Sequence, residues 1–149
     1  ITALVDADGV EFLFGCSSFA GQEPSRYADA LGLLHGRHLA PARLAPRVRA
    51  PDVVALRPRP GAPPPDPRRA LQQMPPLLRT YLAMGGWVSD HAVIDRDLGT
   101  LHVFTGLEIS AIPAARARAL RNVVTGREPA RDGSAPVSAR AAPADAAPR

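Results

Sequence analysis

The apolar positions of this chain fall into runs of two kinds. Val10 to Phe19 (VEFLFGCSSF) is almost continuously apolar and β-prone. A run of that kind predicts an interior strand buried on both faces, and within it Cys16 reads as a buried, inert thiol. Asp8-Gly9, just before it, is a turn signal. Ile1 to Val5 is a short apolar stretch that fits a helix end or a strand. Downstream the period changes. Glu23-Pro24-Ser25 opens a helix, with Pro favoured in the first turn and Glu suited to the positive end of the helix. Tyr27, Leu31 and Leu34 then recur at helical spacing, widened by Ala30 and Leu33, up to Gly36. A strand followed by a helix argues for an α/β layout.

The stretch from Pro41 to Arg69 holds nine of the 17 prolines, a density no regular helix survives. Val53, Val54 and Leu56 can form a short edge strand, and PRPGAPPPDP reads as a stiff extended linker. A helix is expected from about Pro67, split at Pro75-Pro76 and resumed from Pro76, with Leu71, Met74, Leu77, Leu78, Leu82 and Met84 in helical pattern. Gly85-Gly86 closes it as a C-cap. Trp87-Val88 and Ala92-Val93-Ile94 predict one interrupted strand, and Asp97-Leu98-Gly99 a turn. Leu101 to Ile109 predicts a second strand, in which Leu101, Val103, Thr105 and Leu107 alternate with His102, Phe104 and Gly106. The two strands form an antiparallel pair. A last helix is expected from Pro113 to Val124, and residues 125–149 (Ala-, Pro- and Arg-rich, without an aromatic) as a disordered tail.

Composition narrows the function classes. The 149 residues are one domain or less, and no run reaches the roughly 18 apolar residues of a membrane-spanning helix. One cysteine excludes an internal disulfide framework and any Cys-based zinc site. All 18 basic residues are Arg. Over residues 1–112 eleven arginines balance eleven acids, and residues 113–149 carry seven arginines against three acids, which places the net +4 at the C-terminal end. That end suits phosphates or an anionic membrane surface, or is simply a solvated tail. The arginines lack interleaved aromatics, so nucleic acid is not an expected partner. The chain begins at Ile1 with no signal-peptide pattern, and a fragment of a longer protein is expected.

Few residues carry candidate chemistry. Tyr81 stands four residues before Gly85, at a helix end feeding a strand. A phenol there can protonate a leaving thiolate, or the ring can simply pack on the sheet. His35 and His38 sit about one helical turn apart without an evident third ligand, so no metal site is expected. Asp90, Asp95 and Asp97 cluster about the hairpin, where carboxylates either receive a cationic substrate or serve the turn. No nucleophile elbow, P-loop or dinucleotide fingerprint is present.

Several strings converge on one family. FGCSSFAGQEP, the helix with LLHGRH, and PPLLRTYLAMGGWVSDHAVIDRDLGTLHVFTGLEIS occur in order at suitable distances. They carry a G-x-x-S-F-x-G string, a P-P-L-x-x-x-Y-L-x-x-G string and a D-x-x-x-x-T strand entry. Over about Ile1 to Val124 the chain resembles the bacterial L-ornithine N-alpha-acyltransferases, within the Gcn5-related N-acyltransferase superfamily.

The resemblance implies a mixed sheet flanked by helices and incomplete at its N-terminal side, with the Pro-rich linker 41–69 inside a domain of residues 1–124. It implies transfer of a 3-hydroxyacyl group from acyl carrier protein to the alpha-amine of ornithine, giving lyso-ornithine lipid. No bound cofactor is implied beyond the carrier thioester. Tyr81 matches the general acid of the superfamily, although Gly86 intervenes before the aromatic Trp87. Ser17, Ser18 and Phe19 would border the acyl-thioester cleft, and Asp95 and Thr100 would contact substrate from the hairpin. His102 stands where relatives are expected to carry an acid. The loop that cradles the donor phosphate would precede Ile1. The expected location is cytoplasmic, at most peripheral at the inner membrane. Alternatives are another amine acceptor, or a catalytically incomplete piece acting as a membrane-surface or interaction module.

Overall fold

The computed structural model describes residue 5 and residues 7–124. The expected apolar stretch Ile1–Val5 therefore lies largely outside the described residues, and the expected disordered tail 125–149 lies wholly outside them.

Strand β1 (Phe12–Ala20) leads through a 3-10 turn (Pro24–Tyr27) into helix α1 (Ala28–Arg37). The Pro-rich segment carries the short β2 (Val53–Ala55) and ends in α2 (Pro67–Gln73). Helix α3 (Pro76–Ala83), strands β3 (Trp87–Asp95) and β4 (Thr100–Glu108), a 3-10 turn (Ile109–Ala111) and α4 (Ala114–Val124) complete the order.

Helix boundaries follow local chemistry. Asp66 caps α2, its carboxylate accepting from the backbone N–H groups of Arg68 and Arg69 at 2.8 and 3.3 Å, with Pro67 at the first helical position. Pro75 and Pro76 lack the N–H groups a continuous helix needs, so α3 starts afresh. At its end the Gly86 N–H donates to the Tyr81 carbonyl (2.9 Å) and the Gly85 N–H to that of Leu82 (3.1 Å). Gly85 has φ +91, which completes a Schellman cap. Gly86 is equally constrained, because a Cβ there would sit 2.7 Å from the Tyr81 carbonyl oxygen. The Gly-Gly pair thus has a structural cause in both members.

The sheet order is β1-β4-β3-β2. Among the described residues all of these strand pairings are antiparallel, in place of the expected mixed sheet, and parallel pairing is confined to an isolated bridge between Leu39 and Val88. The reason is insertion. β1 and β3 run in the same direction, but β4 lies between them and opposes both. The interruption in β3 is a register shift between Val88 and Ala92, where the Ser89 hydroxyl donates to the His91 carbonyl and accepts from the Phe104 N–H.

One sheet face is the core. Phe19, Val88, Ala92, Leu101 and Val103 pack against Leu31 and Leu34 of α1, Ala70 of α2 and Leu78 of α3. The alternation read in β4 is therefore the burial pattern, with Leu101, Val103, Thr105 and Leu107 inward. The Pro-rich segment is a packed strap more than a spacer. Leu56 is buried, and Pro58 and Pro65 lie against the Cα of Gly32 in α1.

β1 is a correction to the sequence reading. It is an edge strand among the described residues, and its outer-face residues Phe14, Cys16 and Ser18 are exposed. Cys16 is therefore an exposed thiol. An apolar run does not reveal which face has a covering layer, and here that outer face carries aromatics in place of helices. Four of the seven aromatic residues form a ladder on it. Phe12 stacks on Phe14 (5.7 Å between centroids) and on Trp87 (5.6 Å), and Phe104 on Phe14 (5.8 Å) and on Trp87 (6.0 Å).

Candidate active site

Strand geometry separates the expected site residues into three places. Successive side chains of β1 point to opposite faces, so Ser17 faces the helices and Ser18 the outer side.

The first place is a cavity of about 200 Å3 between α3 and the middle of β1 and β4, lined by Leu77, Tyr81, Leu13, Ser17, Thr105 and Leu107 among others. α3 directs Leu77 and Tyr81 to it because they are one turn apart on the same helix face. Ser17 and Thr105, paired across β1 and β4, share a hydrogen bond of 2.9 Å between their hydroxyls. Both are nearly buried, at 7% and 4% exposure. A hydroxyl pair uses one hydrogen internally and keeps a second to offer. An apolar cavity holding a phenol and a hydroxyl pair can orient a carbonyl and deliver a proton.

The second place is the outer face at the hairpin. His102 lies opposite Ser18 in register, and the Ser18 hydroxyl is 2.9 Å from His102 Nδ1. His102 Nε2 is 2.9 Å from the Thr100 hydroxyl and 3.3 Å from Asp95 Oδ2. The Leu98 backbone N–H donates to Asp95 Oδ1 at 2.8 Å, and chiefly that bond, together with the His102 and Asp97 hydrogen bonds, holds the Asp95 carboxyl below the ordinary carboxylate range. An ionised carboxylate only accepts, so Nε2 carries the proton. In the neutral ring Nδ1 then accepts from Ser18. Three expected residues, Ser18, Asp95 and Thr100, thus meet around a fourth whose part the sequence left undefined. The signal for His102 was its cross-strand position, which requires the β1–β4 register.

The third place is the core. Phe19, expected to border the cleft, is instead a core residue, 1% exposed, with its ring tilted against Tyr27 at 4.9 Å and no part in the cavity lining. Asp90 lies in the β3 bulge and meets His91 Nδ1 at 2.7 Å, away from Asp95. His38 ends α1, where burial, and secondarily the Arg37 charge, lower its pKa. Among the described residues no group of three His, Cys, Asp or Glu side chains is placed to hold a metal, and no helix is long and apolar enough to cross a membrane.

Comparison with known proteins agrees with the motif strings. The chain is 37% identical over 109 residues to the L-ornithine N(alpha)-acyltransferase of Rhodobacter capsulatus, covering 71% of this chain and 40% of that protein. It is 34% identical over 113 residues to the enzyme of that name from Rhizobium meliloti, covering 70% and 35% respectively. With the Brucella abortus protein of that name it shares 37% identity over 108 residues, covering 69% and 36%. No family model and no solved structure matches the chain significantly. The chain spans between 35% and 40% of the length of these curated relatives. Over about 70% of its length the chain is similar to L-ornithine N(alpha)-acyltransferases at 34–37% identity.

Proposed function

We propose that this chain forms part of an N-acyltransferase of the Gcn5-related superfamily. In this reading it transfers a 3-hydroxyacyl group from acyl carrier protein to the alpha-amine of ornithine, giving lyso-ornithine lipid. The observation that carries the reading is the cavity in which Tyr81 shares walls with the Ser17–Thr105 hydroxyl pair. That the similar proteins are L-ornithine N(alpha)-acyltransferases supports ornithine as the acceptor.

The chemistry balances with these groups. The neutral amine attacks the thioester carbonyl, and a C–N bond forms as the C–S bond breaks. The Tyr81 hydroxyl gives its proton to the departing thiolate and recovers one from the nitrogen. The free hydroxyl hydrogen of the Ser17–Thr105 pair orients the carbonyl oxygen, and Leu77, Leu13 and Leu107 give the acyl chain an apolar wall. Asp95, held ionised, lies with Ser18 and Thr100 on the other face of the sheet from this cavity, so these residues do not touch the reacting atoms. The arginines of α4 offer a basic surface to an acidic carrier protein or an anionic membrane; the membrane contact is peripheral and on the cytoplasmic side.

The test is an acceptor comparison with the full-length protein and 3-hydroxyacyl carrier protein. N-acyl-ornithine as the main product supports the reading. Preference for another amine moves the acceptor and leaves the transfer chemistry in place.

A further inference from the structure

The outer face of the sheet carries a second groove, of about 220 Å3, that the acyl-transfer reading does not use. Its floor is Phe104 and Val93, and the Pro-rich strap forms its other wall through Pro46 and Ala50. The exposed Cys16 thiol lines the groove, and the other polar groups that reach the floor already have protein partners. Ser89 is held by His91 and Phe104 backbone atoms, His91 by Asp90, and His102 by Ser18, Thr100 and Asp95. What they present to the groove is therefore mostly apolar.

The rim differs. Arg47 and Arg49 both line it, both are exposed, and neither has an acidic partner among the described residues. By contrast Arg43, four residues before Arg47 on the same strap, is paired with Glu108 at 2.6 Å. Two unpaired guanidinium groups above an apolar floor fit an anionic head with an apolar tail. The groove is smaller than the ~300 Å3 at which ordinary small-molecule pockets begin. That size suits one aliphatic chain and is too small for a nucleotide.

From this we infer that the groove binds a single aliphatic carboxylate of medium chain length, its carboxylate on Arg47 and Arg49 and its chain on Phe104 and Val93. The inference goes beyond acyl transfer and does not rest on it, because binding is read without turnover.

The molecule carries its own reporter. Trp87 is the single tryptophan, and it stacks on Phe104 of the groove floor at 6.0 Å between centroids. The experiment titrates the protein with decanoate, below its micellar concentration, and follows Trp87 emission. Decanoate is expected to saturate the change, and decanol to bind about tenfold more weakly for want of the two ion pairs. The Arg47→Ala, Arg49→Ala double variant is expected to lose about the same factor toward decanoate only. Both arginines are exposed, so the variant keeps the wild-type melting temperature as its folding control. Equal binding of decanol and decanoate would overturn the inference, as would a double variant that binds decanoate like wild type. Binding to phosphatidylglycerol vesicles without binding of monomeric decanoate would overturn it too.

Discussion

Ser17 and Ser18 are neighbours in the chain but bond to opposite faces of the sheet, Ser17 to Thr105 and Ser18 to His102, each at 2.9 Å. The first bond is buried beside Tyr81 and the second is exposed. Ser17→Ala leaves the Thr105 hydroxyl without its partner in a nearly dry site, which costs about 1–3 kcal/mol. Ser18→Ala costs about 0.5 kcal/mol or less, since water replaces its bond. Urea unfolding of the two variants checks the difference, and equal losses would contradict the assignment of faces.

Gly106 is flat against the Trp87 indole. A Cβ at Gly106 would lie 2.5 Å from two indole carbons and 2.9 Å from the Phe12 ring. Gly106→Ala must therefore push Trp87 out of the aromatic ladder, at a cost of about 1–3 kcal/mol. Trp87 is 6% exposed and its Nε1 has no hydrogen-bond partner among the described residues, so displacement brings the indole toward water. The expected readout is a red-shifted emission together with a lower urea midpoint; an unshifted spectrum in a stable variant would contradict the packing.

His38 gives the fold a pH dependence. Its pKa lies below the ordinary value, through burial and then Arg37, so the unfolded chain takes up the proton before the folded one does. The stability it supplies is complete above pH ~6.5, the unfolded value, and is lost as the pH falls toward the folded pKa. Asp95 has a depressed pKa as well, and its contribution is lost at a lower pH, as the solution falls through its folded value. Melting temperatures from pH 7.5 down to 5 are expected to fall for wild type and to fall less for His38→Asn.

Much of this arrangement was legible in the sequence where the cause is local. Pro67, the Pro75-Pro76 break and the Gly85 cap each act within one turn of backbone, and the alternation in β4 reports a single covered face. The interruption of β3 was readable because Ser89-Asp90-His91 breaks the apolar pattern. What failed needed contacts remote in sequence. The exposure of Phe14 and Cys16 depends on which layer covers β1. The insertion of β4 between β1 and β3 decides that the sheet is antiparallel. The meeting of Ser18, Asp95 and Thr100 depends on a register that pairs residue 18 with residue 102. Likewise the packed role of the Pro-rich strap depends on contacts remote in sequence, with Pro58 and Pro65 meeting α1 at Gly32.

Tyr81 is the residue on which the acyl-transfer account turns. Its hydroxyl can be removed with little effect on packing, because the ring stays between α3 and the sheet. Full-length wild type and Tyr81→Phe are incubated with 3-hydroxyacyl carrier protein and L-ornithine, and the acylated amine is read by mass spectrometry. The account predicts N-alpha-acyl-ornithine from wild type and a loss of roughly a hundredfold in turnover for Tyr81→Phe, at unchanged melting temperature. It is contradicted if wild type forms no acyl-ornithine, or if the folded phenylalanine variant turns over at the wild-type rate.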